Sequence, residues 1–550
     1  MNARVPSDRA PVEVALARPT TRQRHGSVFV ASGILLSRLF GLLRESVMAA
    51  FFGTTIYGDV VRASLRMPNV LQNLLGEGTL SASFIPVYSE LLAQGRKEEA
   101  GRLAGAVFAL LLAVAGAIAA LGALLAPLLT TIFLPGFTGE RRELTIAAAR
   151  WIFPMTGVLV LSAWALGILN SRRRFFLPYV APVLWNAAMI ATLLFFGGIL
   201  PPRDLVLAFA IGALVGGMLQ FAVQLPWVLR LEPHLRVRWD LRNEAVRTVV
   251  RNATPAIAGR GMVQISGYVD QVLASLLAAG AVAALGYALT LYLLPVSLFG
   301  MSVAAAELPE LSRQRLGDLD ALRRRASEGI TRIAFFAVPA FVAYITLPDV
   351  IVATLFQRGE FNRGSTLLVA ATLAGLALGL IPSTTTRLFS STFFALQDPR
   401  TPARAATVRV LVSALLGFLL MILLEPIRIG ARTFDFAVLG DLRVAGQPLG
   451  IVGLVLGASA AAWTEWGLLH RGLRRRIGPV QFRPGAMTRL LGAAALAAIA
   501  ARLLHFVAGA APELIRNLAT LAAFGAVYLG AAAAFGVEEV AAQWRRWRRP

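Results

Sequence analysis

Apolar stretches of about 20 residues or more follow one another from residue 27 to residue 536, and short polar segments part them. They fall at 27–51, 60–92, 103–134, 144–170, 176–199, 204–229, 247–279, 282–311, 328–347, 366–396, 404–425, 448–469, 487–508 and 515–536. A helix of about 20 residues rises about 30 Å, the thickness of a bilayer's hydrocarbon core. Several of these stretches are longer, so tilt or kinking is expected. Pro68, Pro86, Pro295 and Pro309 lie inside or near the ends of long stretches, where regular helix should break. The pattern predicts an all-α polytopic membrane protein with about fourteen transmembrane helices, and it excludes a soluble globular fold.

The polar segments carry the orientation signal. One set is arginine-rich: the N-terminal tail, Arg96 to Arg102, Arg172 to Arg174, Arg230 to Arg251, Arg313 to Arg325, Arg400 to Arg409, Arg471 to Arg489 and Arg545 to Arg549. The set at 52–59, 135–143, 200–203, 280–281, 357–365, 426–447 and 509–514 is poorer in arginine, with Arg141, Arg142, Arg428, Arg432 and Arg443 as exceptions. The two sets alternate, so the positive-inside rule places the arginine-rich set and both termini in the cytoplasm. An internal repeat is also visible: IPVYSE at 85–90 ends the second span, LPELSR at 308–313 ends the eighth, and each follows a helix with an earlier proline. The six-span offset predicts two six-helix lobes plus two C-terminal helices, an arrangement suited to alternating access. The expected units are a disordered basic tail at 1–26, an N-lobe at 27–230, a C-lobe at 231–470, and the last two spans with a basic tail at 471–550.

Composition narrows the chemistry. The chain is 57% hydrophobic and 15% charged, against about 25% charged in a soluble protein. Its mean hydropathy is +0.67. There is no cysteine, which removes disulfides, thiolate metal sites and cysteine nucleophiles. The four histidines are scattered and form no HExxH pair, and Lys97 is the single lysine, so no P-loop exists. The net charge of +23 is spread over many loops rather than gathered on one face, which argues against nucleic acid as a partner. No loop is long enough for a soluble catalytic domain, so an enzyme is not expected.

Charge is densest where it costs most. The first two spans hold Arg38, Arg44, Glu45, Asp59, Arg62, Arg66 and Glu77, and a mid-membrane charge costs about 2.5–3.5 kcal/mol on insertion scales. Arg38, Arg44 and Glu45 fall near one helical face, and Asp59, Arg62 and Arg66 share another. Glu45, Asp59 and Arg62 suit interhelical ion pairs as well as they suit a function. Arg38, Arg44 and Arg66 leave an excess of guanidinium donors, the means by which a protein grips a phosphorylated anion. Later spans add Arg260, Asp270, Glu307, Arg387 and Glu465, with Arg260 and Arg387 the most central arginines of the second lobe.

SRLFGLLRE at 37–45, MPNVLQNLLGEG at 67–78, FIPVYSE at 84–90 and QDPRTP at 397–402 resemble the MviN/MurJ family of lipid II flippases. The resemblance implies the MOP exporter fold, which the MATE transporters share. It also implies movement of lipid II, an undecaprenyl-pyrophosphate-linked peptidoglycan precursor, from the inner to the outer leaflet of the bacterial inner membrane. Exporters of other lipid-linked oligosaccharides, and a non-transporting scaffold for cell-wall synthesis proteins, are the alternatives. Substrate binding falls to Arg38, Arg44, Arg66, Arg260 and Arg387, and structural or gating roles to Ser37, Asp59, Asn69 and Glu77. Gln72, Asn73 and Thr290 stand where relatives carry arginine; either Arg260 supplies the missing charge or the activity is altered. Asp270 resembles an acid that helps hold sodium in some relatives, and Asp398 is a second candidate. No other cofactor is implied, and coupling falls to such a monovalent cation or to the membrane potential.

Overall fold

The second predicted span, 60–92, is not one helix but three, and its proline dictates the first break. Pro68 has no N–H to donate to a continuing helix, so α2 (Ile56–Arg66) ends before it and α3 (Asn69–Leu75) restarts behind it. Gly76 then turns extended, at ψ −154°, before α4 (Glu77–Ala93), which tolerates Pro86 in its interior. These follow α1 (Thr21–Phe52) in a computed structural model that describes residues 21–314, 318–440, 442–444 and 446–539. Most of the tail expected at 1–26, and Arg545 to Arg549, lie outside the described residues.

The chain continues through α5 (Lys97–Leu124), α6 (Ala126–Phe133), α7 (Gly139–Ser171), α8 (Phe176–Phe196) and α9 (Pro202–Leu231), which complete the first six spans. The second six begin with α10 (Glu244–Ser275) and α11 (Ala281–Pro295). After Pro295 the helix widens into a π-helical turn, Val296–Met301, before α12 (Ser302–Gln314), a distortion of the kind a proline provokes. Then come α13 (Leu319–Thr346), α14 (Pro348–Phe356), α15 (Arg363–Ala377), α16 (Leu380–Ala395), α17 (Arg400–Leu424) and α18 (Gly450–Ile477). The last two spans are α19 (Ala486–Val507) and α20 (Glu513–Ala534). The segment between α17 and α18 holds two small antiparallel hairpins, Ile427–Ile429 with Arg432–Phe434 and Arg443–Val444 with Gln447–Pro448.

Among the described residues, 10 helical runs are long and apolar enough to cross a membrane, and α15 with α16, bent by 44°, makes an eleventh. The three remaining predicted spans are α1, the broken α2–α4 and α10. The pieces of the second span, of 11, 7 and 17 residues, are each too short to cross alone. The fold is thus an all-α, multi-pass membrane architecture of two six-span lobes with two added helices.

Each lobe has its own packing. In the first, Leu103 and Val107 of α5 meet Trp164 and Ile168 of α7, and Val246 and Val249 of α10 reach into the same cluster. In the second, Ile330 of α13 packs with Phe389 of α16 and Leu473 of α18. The added helices lie on α13: Ala494 and Tyr528 join Phe335, whose carbonyl accepts the Tyr528 hydroxyl at 2.5 Å. Each repeat motif lies against a buried acid at the arginine-rich end, Glu232 for the first and the preceding Glu307 for the second. Glu232 accepts from the Tyr88 hydroxyl at 2.5 Å and from Arg172 Nη2 at 2.6 Å. Glu307 accepts from Arg325 Nε at 2.6 Å and Arg332 Nη1 at 2.7 Å.

The lobes close on each other at the arginine-poor end. Ser46 Oγ donates to the Leu355 carbonyl at 2.6 Å, Glu360 N–H donates to the Ala50 carbonyl at 2.8 Å, and the Thr54 and Ser365 hydroxyls lie 2.7 Å apart. A central cluster fills the space beneath, with Ala63 of α2 and Met67 just after it among Tyr287, Leu291, Phe356 and Phe361 of the second lobe. Gly280 makes the approach feasible: its φ is +93° and a Cβ there would overlap the Thr54 carbonyl oxygen.

Candidate functional site

Asp59 is the keystone of that closure. It sits in the first turn of α2, fully buried, and accepts the N–H groups of Gly280 at 2.6 Å and Ala283 at 2.7 Å. These are orphan donors at the start of α11, so a carboxylate of the first lobe caps a helix of the second. Arg141 Nη2, from α7, lies 2.6 Å from the same carboxylate and rests over the Phe137 ring. Arg141 was an unexplained arginine at the arginine-poor end; it is buried as the partner of Asp59.

Deeper in, Glu45 of α1 is 5% exposed and carries two arginines. Arg44 Nη2 is 2.6 Å away, and Arg62 of α2 is also ion-paired to Glu45. The Arg44 guanidinium lies 5.2 Å from the Trp185 ring centroid, and that of Arg62 lies 4.2 Å from Tyr287 on α11. Such stacking holds the cations in low-dielectric surroundings. Arg66 Nη2 donates to the Gly267 carbonyl of α10 at 2.8 Å, while the Tyr268 hydroxyl donates to the Arg66 carbonyl at 2.9 Å. Arg38 is exposed and donates to Ser297 Oγ, in the π-helical turn, at 3.1 Å. Three arginines against one acid at Arg44, Glu45, Arg62 and Arg66 leave this hairpin cationic.

The second lobe answers with a mixed row. Asp270 on α10 has Arg66 and Arg409 as its charged neighbours. Arg409 Nη1, on α17, is 2.8 Å from Glu465 Oε2 on α18. Arg387, on α16, faces both Arg409 and Glu465, and it is exposed with no hydrogen bond or ion pair among the described residues. Thr290, an uncharged residue, donates back to the Gly286 carbonyl at 3.0 Å, and the Arg62 guanidinium lies a turn earlier, over the Tyr287 ring.

The remaining expected residues are dispersed. The side chain of Arg260 lies outside the described residues, although its backbone is helical within α10. Ser37 is half-buried on α1, Asn69 is exposed at the start of α3, and Glu77 is exposed in the first turn of α4, where an acid suits the helix dipole. Asp398 is not brought to Asp270. It accepts the N–H groups of Arg400 and Thr401, both at 3.1 Å, and pairs with Arg476 at 2.8 Å, at the arginine-rich start of α17. The sequence pattern assigns Arg409 to a basic loop and Arg141 to an arginine-poor one. Arg409 falls inside the predicted 404–425 stretch, which is the signal that marks it as interior.

A cavity of about 290 Å³ lies apart from this array, at the arginine-poor end, between α14, α19 and α20, with Asp349, Arg363, His505 and Arg516 among its lining.

The profile of the family described as Lipid II flippase MurJ matches residues 48–520. A probable lipid II flippase MurJ of Rhizobium tropici is 33% identical over 400 residues, which cover 72% of this chain and 74% of that protein. The lipid II flippase MurJ of Burkholderia cenocepacia is 29% identical over 519 residues, 91% of this chain and 95% of that one. Among solved structures, a lipid II flippase MurJ in an inward closed conformation aligns over 92% of this chain and 98% of its own, with a TM-score of 0.74 at 22% identity. An inward-facing MATE family transporter of the MOP superfamily aligns over 82% of this chain and 96% of its own, with a TM-score of 0.55 at 19% identity. The two structures bear on the fold alone, and they agree with the two-lobed helical arrangement. The profile spans the charged hairpin from Met48 onward, the Asp59 closure and the Arg387–Arg409–Glu465 row, and with the Rhizobium relative it establishes that the chain belongs to the lipid II flippase MurJ family.

Proposed function

We propose that this chain flips lipid II, the undecaprenyl-pyrophosphate-linked peptidoglycan precursor, from the inner to the outer leaflet of the bacterial inner membrane by alternating access. The observation that carries the reading is the pairing of a closed arginine-poor end with an arginine-excess interior. The positive-inside rule puts the arginine-rich end, and both termini, in the cytoplasm. The interior would then receive a pyrophosphate from the cytoplasmic side while the Asp59 closure bars the outer side. Arg38, Arg44, Arg66 and Arg387, with Arg260, hold the anion, since forked guanidinium donors match its oxygens. The polyprenyl tail stays in lipid. Residues 27–230 and 231–470 move against each other, and breaking the Asp59 cap on α11 opens the outer side.

The chain is a transporter and not an enzyme, so the driving force is not nucleotide hydrolysis. Moving an anion outward across a membrane that is negative inside is favoured by about 2.3 kcal/mol per charge at 100 mV. The test is depletion of this protein in its own cell followed by an assay of lipid II exposed at the outer leaflet. Exposure should fall, and the gene should rescue a cell lacking its flippase. Normal exposure after depletion, together with failed rescue, would refute the proposal.

A further inference from the structure

The interior of the second lobe holds two acids, Asp270 and Glu465, and a chain in this family could use such acids to hold an exchangeable cation. Hard cations require several oxygen donors on one site. Among the described residues no group of three or more His, Cys, Asp or Glu side chains comes together. Asp398 is occupied at the far end of α17. What surrounds the two acids instead is arginine. Arg409 Nη1 is 2.8 Å from Glu465 Oε2 and also neighbours Asp270, Arg66 is the other cation near Asp270, and Arg387 neighbours Glu465. Each acid thus has two guanidinium neighbours, and Glu465 is directly paired with one of them. Three arginines against two acids leave the row at +1, a field that repels a further cation.

We propose that Arg409 is a built-in counter-cation: its guanidinium, tethered to α17, does for Asp270 and Glu465 what a bound sodium ion would do, and this chain neither binds nor requires sodium. A tethered charge cannot be exchanged between the two sides of the membrane, so a sodium gradient has nothing to act on, and the anionic cargo itself senses the membrane potential. The transport consequence rests on the flippase reading, whereas the binding claim does not.

The experiment uses the purified full-length protein in detergent. Thermal unfolding is followed in sodium chloride and in choline chloride at equal ionic strength, and retention of radioactive sodium is measured by equilibrium dialysis. The wild type should unfold at the same temperature in both salts and retain no stoichiometric sodium. Arg409→Gln uncovers Glu465 and one side of Asp270, and should gain a sodium-specific rise in Tm of about 2 °C or more, as expected when an ion binds only the folded state. A sodium-specific rise or stoichiometric sodium retention in the wild type overturns the proposal, and so does a folded R409Q protein that stays indifferent to sodium. If R409Q does not purify, the wild-type measurements decide alone. Neither readout involves lipid II, so a failed flipping assay and a failed sodium prediction are distinguishable.

Discussion

Asp59→Ala should unlock the arginine-poor end, and the size of the effect can be worked out from its contacts. Two of them cross between the lobes, the bonds from Gly280 N–H at 2.6 Å and Ala283 N–H at 2.7 Å. A hydrogen bond to a charged group contributes about 1.5–3 kcal/mol, so the cross-lobe share is at least ~3 kcal/mol, or roughly 150-fold in the opening equilibrium. The third contact, with Arg141, lies within the first lobe and is present whether the end is open or closed. It affects stability instead, because removing the acid strands a buried guanidinium at a cost of about 3–5 kcal/mol. Asp59→Ala with Arg141→Met separates the two effects: stability should return while the end stays unlocked. The chain has no native cysteine, so Ser365→Cys, 5% exposed inside the closure, reports opening on a clean background. Whole cells carrying it are treated with a membrane-impermeant maleimide, and labelling should accelerate by about 100-fold in the double variant. An unchanged labelling rate in a stably expressed double variant would show that Asp59 does not hold the lobes together.

Two further outcomes test other parts of the array. Arg387→Ala should abolish rescue of a flippase-deficient cell while shifting Tm by less than about 1 °C, because Arg387 is exposed and Glu465 keeps its direct pair with Arg409; rescue at the wild-type level removes it from the anion site. Glu307→Ala should lower the stability of the second lobe by about 1–2 kcal/mol, a discounted figure because Arg325 and Arg332 can turn to water; a denaturation midpoint equal to wild type would show that this acid does not anchor α12.

The spans were legible because lipid forces every backbone group into a helix, and each of the fourteen apolar stretches falls on helix, although the second is broken into three and some ends differ by up to nine residues, as at the start of α13. Interior charge was legible for the same reason, since Arg44, Glu45, Arg62 and Arg66 stand out against an apolar background. Partners were not legible. Glu45 could as well have been a ligand as an ion pair, and only the fold shows it shared by Arg44 and Arg62. Arg141 looked like an orientation exception because its partner is 82 positions earlier on another helix. Asp59 is the sharpest case. Its cross-lobe donors are backbone N–H groups 221 and 224 residues away, and a backbone N–H has no sequence signature beyond the residue not being proline. What turns them into a binding site is that they open a helix and lack intrahelical partners, a property of where α11 begins. Gly280, whose left-handed backbone at φ +93° sets the first turn, fixes that position. On the α11 side the contact therefore depends on where the turn sets the helix start rather than on side-chain identity, whereas on the α2 side it depends on one fully buried carboxylate.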